Sequence, residues 1–383
     1  MVRIIIGADL VPTECNIKDF EKATSVKLIG EELVGILNES DFRCFNLEAP
    51  LINGNEVSIS KWGPCLGAPA SSALGIKSLN IDFLTLANNH IMDYGIKGVQ
   101  STLTALEKVG IQYSGIGDNL NEARKLFYTI LKGKKIGIYC CAEHEFSIAT
   151  ENRAGVNPFD PLNSFDDVEM AKKQDNVDFV IVLYHGGKEH YRYPSPQLQK
   201  VCHKFIDKGA DLIVCQHSHC IGCKEEYKNG TIIYGQGNFI FNYGEKDDCW
   251  ETAILLDLNI KDDTYSIDYI PIVRNNNGVC IAKNKEADDI IKSFYIRSKE
   301  IMDPKFVYNH YLEYAEKQES IYLGSFLGHK TLLFRGLNRI TAGNLIRKKI
   351  KKLYRKKEIL CLRNFIECEA HRELILTLLK KDG

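Results

Sequence analysis

Through its first two thirds the chain alternates short apolar runs with polar or glycine-rich corners and amphipathic stretches. The runs fall at residues 3–6, 42–45, 83–87, 136–140, 179–184, 212–215 and 232–234. Near-continuous Ile/Val/Leu/Phe runs of this length suit strands covered on both faces. Separated by helical stretches, they predict a largely parallel sheet system in an α/β fold. Residues 70–77, 98–109 and 197–208 carry apolar side chains at helical spacing, and Gly110 and Gly209 follow two of them as stop signals. Residues 254–260 and 265–273, joined at Lys261-Asp262-Asp263, predict a closing β-hairpin.

Beyond about residue 275 the texture changes. From Glu286 onward the pattern is helical with few strand signals, so the expected organisation is an α/β domain over residues 1–275 and a helical, basic region over 276–383. Within the latter, residues 347–357 (RKKIKKLYRKK) keep Ile350, Leu353 and Tyr354 on one face of a cationic helix. That stripe is narrow and lacks Trp or Phe. Docking on the main domain or on a second copy of the chain is therefore expected, without stable membrane insertion.

Composition narrows the function classes. A chain of 383 residues with 44% hydrophobic content and a mean hydropathy of -0.20 is long enough for a large core. A net charge of -1 gives no overall attraction to nucleic acid, and no aromatic–basic interleaving suggests a base-stacking platform. The thirteen cysteines are odd in number and several sit inside apolar runs, which fits small buried hydrophobes in a reducing compartment. Cys220-Ile221-Gly222-Cys223 has no partner CxxC. The opening run stops at a carboxylate and reads as a first strand, and no segment has the length of a transmembrane span. A soluble, cytoplasmic protein is the expectation.

The candidate chemistry lies where the apolar runs stop. The first ends at Asp9, the second at Asn46-Leu47-Glu48, and the third at Asn88-Asn89-His90 with Asp93 following. The fifth ends at His185-Gly186-Gly187, the sixth at His217-Ser218-His219 and the seventh at Gly237-Asn238. Singly, each has a structural explanation: an Asp after a strand is commonly a helix cap, and a histidine can be a satisfied core residue. His-x-His at a strand end is harder to explain that way, because alternate strand residues face opposite sides. Both imidazoles reach one site only if the chain turns there. Strand ends in open α/β sheets converge on the ligand crevice, and Asp, Glu, Asn and His are the side chains that hold divalent metals.

The order GAD…NLE…NNHxxDYG…HGGxE…HSH…GNF resembles the capsule-synthesis / poly-γ-glutamate-synthesis family, a branch of the calcineurin-like metallophosphoesterases. The resemblance implies a four-layer α/β/β/α sandwich with two divalent metals (Mn, Fe or Zn) at the strand ends. It further implies that Asp9, Glu48 and His219 hold the first metal, and that Glu48, Asn89, His185 and His217 hold the second. His90 would be the acid for the leaving group, with Asp93 and Glu189 at neighbouring motif positions. Two departures stand out. Val11 replaces the histidine of the superfamily's Asp-x-His motif, and Glu48 replaces the usual bridging Asp. The first metal position is thereby one ligand short. The functional expectation is a metal-dependent hydrolase acting on a phosphoester, or on an amide or peptide-like bond, in an anionic small-molecule or cell-envelope polymer substrate. The competing expectation, from a different class, is a non-catalytic assembly protein that keeps the fold.

Overall fold

The computed structural model describes residues 1–242, 248–326, 340 and 352–380. Among these, fourteen strands build the two main sheets. In chain order they are β1 (Val2–Val11), β2 (Phe42–Leu47), β3 (Phe83–Thr85), β4 (Gln112–Ser114), β5 (Phe127–Leu131), β6 (Lys134–Ala142) and β7 (Phe179–His185). They continue with β8 (Leu212–Gln216), β9 (Lys224–Tyr227), β10 (Gly230–Ile233), β11 (Asn238–Phe241), β12 (Thr252–Lys261), β13 (Thr264–Asn275) and β14 (Gly278–Ile281). The first sheet runs β14-β13-β12-β1-β2-β3-β4, with β11 also on β1; the second runs β9-β10-β8-β7-β6-β5.

Every apolar run read from the sequence overlaps a strand, the run 83–87 outlasting β3 by two residues and the run 232–234 outlasting β10 by one. The pairs β1/β2, β2/β3, β6/β7, β7/β8 and β8/β10 are parallel, and the expected hairpin is β12/β13. The alternation of side chains in the second sheet shows the layering. Phe179, Ile181 and Leu183 of β7 join one core with Ile4, Phe45 and Leu256 of the first sheet. Val180, Val182 and Tyr184 join another core with Val168, Val201 and Phe205. Those last three lie on helices Ser164–Lys173 and Pro196–Asp207. The first sheet is covered in turn by helices Ser25–Glu39 and Gly95–Val109, through Leu28, Leu33, Val99 and Leu106. Period-two burial of this kind requires a layer on each face, and the result is the helix–sheet–sheet–helix sandwich expected from the resemblance.

The central strand β1 is irregular where it matters. Its pairing with β2 shifts register between Ile6 and Asp9, and its other edge is shared: β12 pairs with Val2–Ile6 and β11 with Asp9–Val11. Two buried glutamines stitch this break. Gln236 Nε2 donates to Ile6 O at 3.0 Å, and Gln216 Nε2, at the end of β8, donates across the sheets to Gly7 O at 3.0 Å. Gly7 has to be glycine, since a Cβ there would lie 1.9 Å from the buried ring of Phe45. Such extra-residue distortions re-aim the side chains that follow, and here the next carboxylate is Asp9.

Cys220 and Cys223 are both buried but enter different clusters, Cys220 with Val11 and Trp250, Cys223 with Val182 and Phe205. The first compact unit runs Met1–Val307 and the second Tyr308–Gly383. The change of texture near 276 therefore precedes the division by about one helix. Helix Asn284–Glu300 packs on β9 and β13, burying Phe294. It is tied down by Arg297 Nε to Gly222 O at 2.7 Å and by Lys224 N to Ser298 Oγ at 2.9 Å. In the second unit, helices Lys356–Glu367 and Glu369–Lys380 pack together. Residues 347–351, half of the basic stretch, lie outside the described residues.

A chain ending at Asn275 loses β14 together with the buried Val279, Phe294, Ile301 and Val307. Each such side chain contributes about 1.5–3 kcal/mol when buried, so the truncation is expected to lower stability by about 5 kcal/mol or more. Thermal melts of both chains check this; an unchanged melting temperature contradicts it.

Candidate metal centre

Three strand ends of the first sheet are fastened together by asparagines. Asn46 Nδ2 donates to Asp9 Oδ1 at 2.8 Å, and Asn88 Nδ2 donates to Asn46 Oδ1 at 3.0 Å and to Leu47 O at 2.8 Å. Asn88 Oδ1 in turn accepts from the backbone of His90 (3.1 Å) and Ile91 (2.9 Å). This turns the chain after β3 and presents Asn89 and His90. Glu48 sits just beyond β2, its backbone N–H bonded to Leu10 O at 3.1 Å.

The second sheet supplies the histidines. His185 ends β7, and His217 and His219 follow β8. His217 has φ +87° and His219 φ +54°, so two non-glycine residues adopt the left-handed backbone within three positions. That turn brings both imidazoles to the same side. Strain of this sort costs on the order of 1–3 kcal/mol per residue and persists where the surroundings enforce it.

The donors fall into two trios, each with ligand atoms mutually within 4.8 Å: Glu48, His185 and His217, and Asp9, Glu48 and His219. Glu48 is common to both. Asn89 Oδ1 lies 3.0 Å from His185 Nε2, alongside the first of these trios. All six predicted metal residues thus meet in one place. His185 Nε2 is 3.3 Å from Glu48 Oε1 and 3.1 Å from His217 Nδ1; His219 Nδ1 is 3.5 Å from Asp9 Oδ2 and 4.0 Å from Glu48 Oε2.

Both oxygens of Glu48 are buried and accept no well-directed hydrogen bond from the described residues. An ionised carboxylate in that condition is costly unless a cation faces it. The surrounding groups respond accordingly. Burial disfavours the imidazolium of His219, but Glu48 and Asp9 outweigh it and raise its pKa to about 9. His185 is raised for the same balance of reasons, burial against the charge of Glu48. His217 is pushed well down by burial and by the neighbouring His185 and His219. Burial would raise Asp9, yet the hydrogen bond from His219 and the charge of His185 hold it below the ordinary value. An oxygen–nitrogen donor set without thiolate suits Mn, Fe or Zn, and the shared carboxylate fits a pair of ions.

His90 and Asp93 lie beside the trios as a pair. His90 Nδ1 is 2.6 Å from Asp93 Oδ2, which also accepts from Leu66 N at 2.7 Å. Lys61 Nζ, almost fully buried, pairs with Asp93 Oδ1 and lies 3.1 Å from His90 Nδ1. Glu189 lies on the loop after β7, its carboxylate 3.9 Å from Lys188 Nζ and less than half exposed. Val11, at the position of the superfamily's missing histidine, is buried with Ala49, Leu66, Phe241 and Trp250. His219 stacks on Trp250 at 4.8 Å and bonds Asn238 Oδ1 at 2.9 Å. Lys61, Glu145 and Asn238 were not singled out as site residues in the sequence. Only Asn238 carried a signal, as the end of the seventh run.

Residues 9–243, more than half of the chain, match the family described as bacterial capsule synthesis protein PGA_cap. The chain belongs to this family. It is 29% identical over 246 residues to the capsule biosynthesis protein CapA of Bacillus anthracis, covering 62% of this chain and 59% of the relative. It is 31% identical over 212 residues to the PGA biosynthesis protein CapA of Bacillus subtilis, covering 55% of each. The chain thus spans between half and two thirds of the length of these relatives. Among solved structures, a 5'-nucleotidase precursor of Thermus thermophilus superposes with a TM-score of 0.43 at 12% identity, over 79% of this chain and 59% of that one.

A metal ion held through the His219 ring would have to displace the proton that the charged ring carries. With its pKa near 9, the metal-free protein holds that proton at neutral pH, and ligation must release it. The folded pKa is raised, so the stabilisation from the protonated ring is present below about 6.5, the ordinary histidine value, and fades as pH rises through 9. Metal affinity is expected to run the other way, increasing with pH up to about 9. Calorimetric titration with Mn in buffers of different ionisation enthalpy at pH 7 is expected to report release of at least about one proton. Heats that do not depend on the buffer contradict this.

Proposed function

We propose that this chain is a two-metal hydrolase whose substrate is a phosphoester, or an amide or peptide-like bond, in an anionic polymer of the capsule or poly-γ-glutamate type. The observation that carries the reading is the buried Glu48 carboxylate, short of hydrogen bonds and shared by two histidine-containing trios. Asp9, Glu48 and His219 would hold one ion; Glu48, Asn89, His185 and His217 the other. Bound there, the ions would supply a hydroxide nucleophile at neutral pH and polarise the scissile group.

The chain's own residues do the rest. Asp93 accepts a hydrogen bond from Nδ1–H of His90 and so fixes the ring orientation, leaving Nε2–H as the group that would give its proton to the leaving group, with Nδ1 keeping its own. Lys61 offsets the charge of Asp93 and, with Lys188, places cationic groups beside the trios, where an anionic substrate approaches. The names of the relatives direct the substrate search to capsule and poly-γ-glutamate polymers.

A second reading, a non-catalytic role in polymer assembly, has one specific observation in its favour. The place of the superfamily's first-motif histidine is filled by Val11 within an apolar cluster. Among the described residues no helix is long and apolar enough to cross a membrane.

Mn-loaded protein screened against phosphomonoesters, phosphodiesters and γ-glutamyl amides separates the two readings, since turnover of none of them supports assembly. For the enzyme, His90→Ala is expected to lower kcat by about 10²–10⁴-fold with metal content retained. His217→Ala is expected to lose metal and activity together. Equal metal loss in both variants would make His90 a ligand and defeat the proposed acid role.

A further inference from the structure

The segment that follows β6 clasps the metal centre from outside the ligand set. Glu143 N donates to His185 O at 3.0 Å, and Ser147 Oγ donates to Asn89 O at 2.9 Å. Between them, Glu145 Oε2 accepts from Asn89 Nδ2 at 2.9 Å, while Oε1 lies 3.9 Å from His217 Nε2. Asn89 follows β3 of the first sheet and His185 ends β7 of the second. This one segment therefore holds together two donors that belong to different sheets.

The contact with Glu145 also decides which way the Asn89 amide faces. A carboxylate only accepts, so it takes the NH₂ of Asn89 and leaves Oδ1 turned toward His185 Nε2, 3.0 Å away. With the amide reversed, two N–H groups would face the donor cluster and repel a cation. Glu145 itself is partly open, with 37% of its side chain exposed, so it is no part of the buried core.

We propose that Glu145 is a positioning residue for metal binding, holding the Asn89 amide with its oxygen toward the ion that Glu48, His185 and His217 would share. This rests on the two-metal reading of the site. Groups that orient a ligand from behind typically account for about 10–100-fold in metal affinity.

Mn titration of the full, metal-free chain by calorimetry tests it. Glu145→Ala is expected to weaken the tighter binding event by about 10–100-fold. Glu145→Gln, whose amide oxygen accepts the same hydrogen, is expected to stay within about threefold of the parent chain. In an Asn89→Ala background, Glu145→Ala is expected to add nothing, because the group it orients is gone. Parent-like binding by Glu145→Ala overturns the proposal. Gln as weak as Ala also overturns it, since charge rather than orientation would then matter. A parent chain that binds no Mn overturns the two-metal reading as well.

Discussion

A buried carboxylate that no described donor meets squarely is the constraint around which this molecule is arranged. Among the described residues no well-aimed N–H meets either oxygen of Glu48, nitrogens of His185 and His219 lie 3.3 and 4.0 Å from them, and Asp9 offers a carboxylate oxygen within 4.8 Å. Placing that charge in the interior is tolerable only where positive charge can be collected, as protons on His185 and His219 or as metal ions. The strands leading to Glu48 and to its neighbours are accordingly among the most deeply covered in the protein, which keeps the donors close to their positions.

Holding them there requires distortions that regular strands do not provide. β1 breaks register just before Asp9, and the loosened carbonyls of Ile6 and Gly7 are taken by Gln236 and Gln216. Gln216 is the residue immediately before His217, so the same short stretch ties the sheets together and begins the left-handed turn that aims both histidines. Asparagines do the equivalent work on the other side, where Asn46 and Asn88 lock the ends of β1, β2 and β3. Buried polar networks of this density succeed only when nearly every member is satisfied.

The two positions are not equivalent. Under the two-metal reading four donors would serve one of them, with Asn89 backed by Glu145, and three the other, beside the apolar cluster of Val11, Phe241 and Trp250. Under the two-metal reading, the position built on Glu48, His185, His217 and Asn89 is the stronger. The indole of Trp250 stacked on His219 restricts the movement of that ring.

The seven apolar runs determined the buried strands, because a strand covered on both faces has to be apolar at consecutive positions. The side chains at the ends of those runs determined the donor types. Weaker strands escaped notice: β5 alternates half-buried and exposed positions at the sheet edge, and β14 has only four residues. The helix Asn284–Glu300 read as part of a separate region because few of its residues are apolar, yet Phe294 and two hydrogen-bonded side chains fix it to the main body. Glu145 lies beyond the end of the fourth run, where the sequence offered no ligand pattern, and Lys61 comes from a loop with no periodicity at all. Periodicity and residue type are local properties, so the sequence determined them unaided. Which strand ends meet, which donor is shared and which amide is turned depend on how two sheets pack face to face, and only the tertiary structure decided those.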